Sequence, residues 1–153
     1  MAKDRQQGFT LIELMVVLII IGIASAAVSL SIKPDPAQLL RKDANRLIQL
    51  LQIAQAEALA DGRPITWLAD KQGFRFSRRN AQGYGFDHFI ADPHLHPRSW
   101  ETPSMKIRVT PRQPVVLNAE WFDSPLQLQL SDGQNSLTVQ RTAAGKLHVA
   151  SQP

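Results

Sequence analysis

The 153-residue chain contains no cysteine. This absence excludes a disulfide framework, a thiolate metal site and a cysteine nucleophile. The sequence also has no nucleophile elbow, P-loop, dinucleotide-binding fingerprint or zincin motif. We therefore expect a protein that is not an enzyme and that holds no cofactor and no resident metal.

The chain also has little excess of charge of one sign. Its 17 Lys and Arg residues exceed its 13 Asp and Glu residues by four, and they are scattered along the sequence. The densest basic pair is Arg78–Arg79. A nucleic-acid-binding domain concentrates its cations on one face. We therefore predict a solvated surface, with these two arginines on it, and no nucleic-acid partner.

Histidine is scarce as well, and three of the four histidines lie close together. His88, His94 and His96 occur with two aspartates in a segment interrupted by Pro93 and Pro97. The prolines indicate a loop, whereas a zinc site needs three or four ligands that converge in a fixed geometry. The segment is predicted to be a surface loop without a metal.

One long apolar run stands out in this otherwise polar chain. Residues 1–8 are polar and end in Gly8, and the following run Phe9–Ile32 contains one ionisable residue, Glu13, and no proline. About 20 apolar residues in a helix suffice to cross a bilayer core. The run is therefore predicted to be a membrane-spanning helix.

Two other interpretations of this run stay open on composition alone. A plain transmembrane anchor explains the length but leaves the Glu13 carboxylate in the membrane, at a cost of about 2.5–3.5 kcal/mol. A secretory signal peptide would use Lys3 and Arg5 as its basic region and Leu14–Ile23 as its apolar core, with the small residues 24–26 as its cleavage site. Glu13 and the apolar residues that would follow such a cut argue against it.

A short motif accounts for the polar start, the apolar run and the single carboxylate within it. Residues 8–14, GFTLIEL, resemble the leader junction of type IV pilins and type II secretion pseudopilins. The resemblance implies that a prepilin peptidase/N-methyltransferase cleaves between Gly8 and Phe9 and methylates the new amine of Phe9. It further implies a leader at 1–8, a stem helix at 9–32 and a periplasmic domain at 33–153, in a single-pass protein of the bacterial inner membrane.

In that family Glu13 corresponds to the stem glutamate, which we predict to act in assembly. An unpaired carboxylate in lipid is unfavourable, whereas a buried charge that is paired is tolerated. Cleavage creates a cationic amine at Phe9. In a filament of staggered stems, as the resemblance implies, the carboxylate of one subunit meets the amine of a neighbour and favours the correct register.

The remainder of the chain starts with a second helix. Pro34 and Pro36 interrupt the first helix, Asp35 fits an N-cap position, and Gly62 fits the C-terminal cap. Between them apolar residues recur every three or four positions, which predicts one buried helix face. That face consists of Leu40, Ala44, Leu47, Leu51, Ala54 and Ala58.

After Gly62 the apolar period changes to two, which predicts short strands. The predicted strands are Ile65–Ala69, Phe74–Arg78, Tyr84–Ile90, Met105–Val109, Val115–Asn118, Leu126–Leu130, Leu137–Val139 and Leu147–Val149. Helices followed by a run of strands indicate a pilin-like α+β fold, in which one helix packs on antiparallel sheets. Trp67, Trp100 and Trp121 are predicted to pack in the core or at sheet edges.

Two segments of this half resemble the periplasmic domain of minor pseudopilin H of type II secretion, a domain type shared with the DNA-uptake pilin FimT. They are residues 54–76 and residues 126–149, whereas residues 80–120 match nothing specific. The resemblance implies a minor pseudopilin near the pseudopilus tip, with other major and minor pseudopilins and the inner-membrane secretion platform as partners. The alternative is a DNA-binding minor pilin, which the sparse basic residues around Lys146 do not favour.

Overall fold

The computed structural model describes residues 9–31, 34–120 and 125–150. The chain divides into two compact units, Met1–Pro34 and Asp35–Pro153. The described part of the first unit consists mainly of helix α1 (Leu11–Ser31). The second contains helix α2 (Pro36–Asp61) and the strands described below.

Helix α2 begins and ends where the sequence predicts. The Asp35 carboxylate accepts a hydrogen bond from Ala37 N at 3.0 Å, and Pro36 occupies the first helical position, where its missing N–H costs nothing. At the other end Gly62 adopts φ 64°, a left-handed conformation that favours glycine. The predicted apolar face is confirmed, since all six of its residues are buried.

The described strands form two antiparallel sheets. Strands β1 (Ile65–Ala69), β2 (Gly73–Arg79), β3 (Phe86–Asp87) and β6 (Val115–Leu117) make the first sheet in the order β3-β2-β1-β6, and β4 (Arg98–Ser99) also pairs with β2. Strands β5 (Lys106–Thr110), β7 (Gln127–Ser131), β8 (Ser136–Arg141) and β9 (Leu147–Ala150) make the second in the order β5-β7-β8-β9. The predicted α+β fold is confirmed.

The core lies where α2 meets both sheets. Helix α2 contacts β1 and β6 of the first sheet and β7, β8 and β9 of the second. Its buried leucines belong to one core cluster with strand residues such as Leu128 and Val139, which are fully buried. Each Å² of apolar surface buried contributes about 25 cal/mol. The contact of α2 with the two sheets is therefore the main stabilising contribution in the second unit.

The aromatic residues of the core confirm two of the three tryptophan predictions. Trp67 and Trp100 are buried, and the ring of Trp100 lies 4.7 Å from that of Phe74. The indole N–H of Trp100 donates to the Asp70 carbonyl oxygen at 2.8 Å, so this buried donor is satisfied. Trp121 lies outside the described residues.

The segment that the sequence left unmatched differs most from expectation. The strand predicted over Tyr84–Ile90 is reduced to Phe86–Asp87. Gly83 and Gly85 have φ of 77° and 96°, and the Asn80 side chain bonds to the Tyr84 carbonyl oxygen, so a turn replaces the start of the strand. Strand β4, which was not predicted, pairs antiparallel with β2 and approaches it closely at Gly73, where a Cβ would clash with the Arg98 carbonyl oxygen.

Candidate functional site

Two of the predicted site residues lie at the start of α1: Glu13 is in the first turn, and Phe9 is two residues before the helix begins. Phe9 and Thr10 precede the helix, and the Thr10 hydroxyl accepts a hydrogen bond from Glu13 N at 3.3 Å. The Thr10 carbonyl oxygen accepts from Glu13 N and Leu14 N at 3.1 and 3.2 Å. Thr10 is thus the N-cap of α1, a role that its spacing of three residues from Glu13 could have indicated.

The two side chains are exposed and do not bond to each other. Phe9 is 84% exposed, and the Glu13 carboxylate has no hydrogen bond or ion pair within the part of the chain that the structure describes. A carboxylate in the first turn interacts favourably with the positive end of the helix dipole. Gly8, the other half of the predicted cleavage site, lies outside the described residues.

Helix α1 presents its apolar side chains to solvent on all sides. Every side chain from Phe9 to Ala27 is exposed. The large apolar ones are Phe9, Leu11, Ile12, Leu14, Met15, Val16, Val17, Leu18, Ile19, Ile20, Ile21 and Ile23. A helix that is apolar all round is normally covered by other helices or by lipid. Across residues 9–31, 34–120 and 125–150, no helix combines the length and apolar character needed to cross a membrane.

Asp43 is buried, although it is not among the six residues of the predicted apolar face of α2. It is 1% exposed, and its carboxylate accepts hydrogen bonds from Glu101 N at 3.1 and 3.2 Å and from Thr102 N at 2.8 Å. These bonds fix the segment between β4 and β5 against α2. The spacing could have revealed this, since Asp43 follows Leu40 by three residues and precedes Leu47 by four, as a core-facing residue does.

A group of exposed ion pairs surrounds the contact between Asp43 and residues 101–102. Lys42 Nζ contacts Glu101 Oε2 at 2.7 Å, and Arg46 Nη1 contacts Glu101 Oε1 at 3.3 Å. The hydrogen bond from Lys42 is the main reason that the pKa of Glu101 lies below its ordinary value of 4.5. Glu101 therefore stays ionised at neutral pH. Exposed pairs of this kind contribute little to stability, so the segment is held mainly by Asp43.

The prediction that Arg78 lies on a solvated surface is wrong. Its side chain is 13% exposed, and its guanidinium contacts Glu57 Oε1 at 3.1 Å and the carboxylates of Asp61 and Asp87. The same group lies 4.8 Å above the ring of Phe89, in cation–π geometry. Arg78 therefore joins α2 to the loop after β2, and it is not available to bind phosphate.

The histidine segment forms an ordered loop. His96 Nδ1 lies 2.9 Å from the Asp92 carbonyl oxygen, and the Asp92 carboxylate accepts from the N–H groups of His94 and Leu95. Burial raises the pKa of Asp92, but these two hydrogen bonds outweigh it and hold the pKa below its ordinary value of 3.8. Among the described residues no group of three or more His, Asp or Glu side chains could hold a metal ion.

Comparisons with known proteins agree with both parts of the chain. Residues 3–29 match the model of the Prokaryotic N-terminal methylation motif, and residues 43–145 match the model of the Type II transport protein GspH. The second match covers about two thirds of the 153 residues. A curated relative, Type II secretion system protein H of Aeromonas hydrophila, is 35% identical over 83 residues, which are 54% of this chain and 45% of the relative.

A solved structure supports the fold. The minor pseudopilin EpsH from the Type 2 Secretion System of Vibrio cholerae superimposes with a TM-score of 0.56 over 72% of this chain and 95% of that one, at 14% identity. Identity this low establishes the shared fold alone. The family model spans most of α2 and most of both sheets, and it confirms the resemblance found in the sequence. The chain belongs to the family of the Type II transport protein GspH.

Proposed function

We propose that this chain is a minor pseudopilin of a type II secretion pseudopilus. It assembles with other major and minor pseudopilins near the tip, on the inner-membrane secretion platform, and supports the export of folded proteins across the outer membrane. The observation that carries this proposal is the order of two matches in one chain, a methylation motif at 3–29 and a GspH domain at 43–145. In this role the chain is a structural subunit and needs no catalytic residue.

The exposed apolar side chains of α1 support a membrane anchor that later becomes a filament stem. Before assembly, lipid would cover them in the inner membrane, with the second unit in the periplasm. After assembly, the stems of neighbouring subunits would take the place of lipid. A cover of either kind is required, because an apolar helix surface of this extent is unfavourable in water.

Processing at Gly8–Phe9 is the first expected result. Intact-mass measurement and amino-terminal sequencing of the protein from its native membrane should show a chain that starts at Phe9 and carries one N-methyl group. Gly8→Leu should leave the leader attached, since the implied peptidase cuts after glycine. A mature terminus near Ala27 would instead establish a secretory signal peptide and contradict the anchor.

Secretion itself provides the direct test of function. Deletion of the gene should cause exported proteins to accumulate in the periplasm, and the full-length parent chain should restore their release. The matched control is Gly8→Leu, which should not restore release although the second unit is unchanged. Normal secretion in the deletion strain, or DNA uptake as the process that fails, would overturn the proposal.

A further inference from the structure

The loop between β2 and β4 exposes three large apolar side chains. This aromatic loop, residues 80–97, has Tyr84 at 87%, Phe86 at 60% and Ile90 at 79% exposed. Elsewhere in the second unit the exposed large apolar residues of the described chain are each less than half exposed. Large apolar groups concentrated on one segment in this way are typical of protein contact surfaces.

Strand register divides the base of this loop into two faces. Arg78 pairs with Asp87, and Arg79 pairs with Phe86. Side chains alternate along a strand, and directly paired residues share a face. Because Arg78 contacts α2, Arg79 and Phe86 lie on the opposite face, away from α2. His88 joins them there, with its ring 6.5 Å from that of Phe86 and inclined by 26°.

The aromatic loop is ordered by contacts that do not involve its exposed side chains. Phe89 and Leu95 are buried in the core. The Asp92 carboxylate accepts hydrogen bonds from His94 N at 2.8 Å and Leu95 N at 2.7 Å, which closes a turn between these anchors. A surface that is already ordered loses little conformational entropy on binding. Promiscuous binding sites, in contrast, use flexible surfaces that can repack.

The two carboxylates of the aromatic loop have partners within the chain, whereas the side chain of the neighbouring arginine has none among the described residues. The Asp87 carboxylate faces Arg78 and accepts a hydrogen bond from Phe89 N, and that of Asp92 is satisfied by the backbone. Arg79 is exposed and has no ion pair in the described part of the chain. The outer face therefore presents an uncompensated cation beside an aromatic ring. Arginine and aromatic side chains together are typical of the residues that dominate binding energy at interfaces.

We propose that the surface formed by Arg79, Phe86 and His88, flanked by Tyr84 and Ile90, docks into another pseudopilin subunit. Its partner surface is an apolar pocket with carboxylates at its rim, which fits the ring of Phe86 and pairs with Arg79. This inference rests on the proposed function. An ordered loop favours one fixed partner, such as a subunit of the same assembly, over exported proteins of varied surface.

Over residues 35–120 and 125–150, a second copy of this chain provides an apolar pocket with a single carboxylate, Glu120, whose lining also contains Arg141. Between residues 35 and 150, every described carboxylate except that of Glu120 has a hydrogen bond or ion pair within its own chain. These engaged groups are Asp35, Asp43, Glu57, Asp61, Asp70, Asp87, Asp92, Glu101 and Asp132. One free carboxylate does not form an acidic rim. The proposal therefore predicts a heteromeric contact.

Site-specific crosslinking of the full-length chain in secreting cells tests this surface. Phe86 is replaced by the photo-reactive analogue p-benzoylphenylalanine, and the matched control carries the analogue at Val116, an exposed apolar residue on β6. We expect a crosslink to another pseudopilin from position 86, identified by mass spectrometry, at a yield at least ten times that from position 116. Arg79→Glu in the same chain should reduce that yield about tenfold, whereas Arg75→Glu, an exposed change on the same strand, should not.

Several outcomes would overturn the proposal. Crosslinks from position 86 to a second copy of this chain, to an exported protein or to lipid alone would each contradict it, and so would equal yields from both positions. An unchanged yield with Arg79→Glu would exclude the charge pairing. Each variant chain is first shown to accumulate to parental level. If the chain restores secretion but position 86 gives no pseudopilin crosslink, the surface is wrong and the proposed function stands; normal secretion in the deletion strain contradicts the function itself.

Discussion

Glu13→Leu is expected to abolish assembly while leaving processing intact. The change makes the apolar run more apolar, so insertion and cleavage at Gly8–Phe9 should continue. Assembly should fail because the amine of a neighbouring Phe9 would be buried without its carboxylate, which is strongly unfavourable in a medium of low dielectric constant. Under the proposed function, secretion should fall with it.

Two further substitutions at this position separate charge from size and polarity. Glu13→Gln preserves the size and hydrogen bonding of the side chain and removes its charge, so it should behave like Glu13→Leu. Glu13→Asp retains the charge on a shorter side chain and should be intermediate. The measurements are crosslinking to the other pseudopilins and release of exported proteins in cells that produce each variant.

A loss of assembly in Glu13→Leu could also result from a less stable first turn of α1, and this explanation needs its own control. Glu13 lies in the first turn of α1, where its charge stabilises the helix by about 0.3–1 kcal/mol through the dipole. Thr10→Ala removes the cap of the same turn, worth about 1 kcal/mol, and leaves the carboxylate in place. We expect Thr10→Ala to retain most of the assembly. If it fails as completely as Glu13→Leu, helix capping and not charge pairing explains the role of this turn.

Asp43→Ala is expected to destabilise the second unit by about 3 kcal/mol. The substitution leaves the N–H groups of Glu101 and Thr102 without their acceptor, and an unsatisfied buried donor costs about 1–3 kcal/mol. Asp43→Asn retains one oxygen acceptor and should cost roughly half as much. The measurement is equilibrium urea unfolding of fragment 35–153, followed by its tryptophan fluorescence, to which Trp67 and Trp100 in the core contribute.

Lys42→Ala is the matched control for this result. It removes a contact to Glu101 from the same attachment, but Lys42 Nζ belongs to a side chain that is 65% exposed. Solvent screens such a pair, so the unfolding midpoint should stay close to that of the parent. If Lys42→Ala and Asp43→Ala are equally destabilising, the exposed ion pairs and not the buried carboxylate hold the segment between β4 and β5.

The elements that could be predicted from the sequence depend on local patterns. The apolar spacing of α2, its Asp35 cap and its Gly62 terminus are set by residues within one or two turns of each other. Strands β1 and β2 were likewise predicted from local alternation, and the turn between them is closed by the Asp70 carboxylate, which accepts from Gln72 N and Gly73 N at 2.8 and 3.0 Å. These parts were predicted correctly because neighbouring residues suffice to form them.

The residues that were missed act over long distances in sequence. The partner of Asp43 is 58 residues away, and Arg78 meets α2 carboxylates that no local pattern associates with it. The same applies to β4, which forms only because the aromatic loop returns to β2. Arg78 was expected on the surface and Asp43 was not among the predicted core residues, since an isolated charge is costly to bury. That cost is offset by partners that become visible only when the chain is folded.

By itself, the sequence determined the class of this protein. The GFTLIEL motif, the apolar run behind it and the period change after Gly62 are local features, and they indicate a pilin-like subunit without the fold being known. The tertiary structure alone decided which polar groups are buried and which surface is presented. Arg78 and Arg79 are adjacent in the sequence, yet strand alternation and the position of α2 place the first in ion pairs and leave the second exposed.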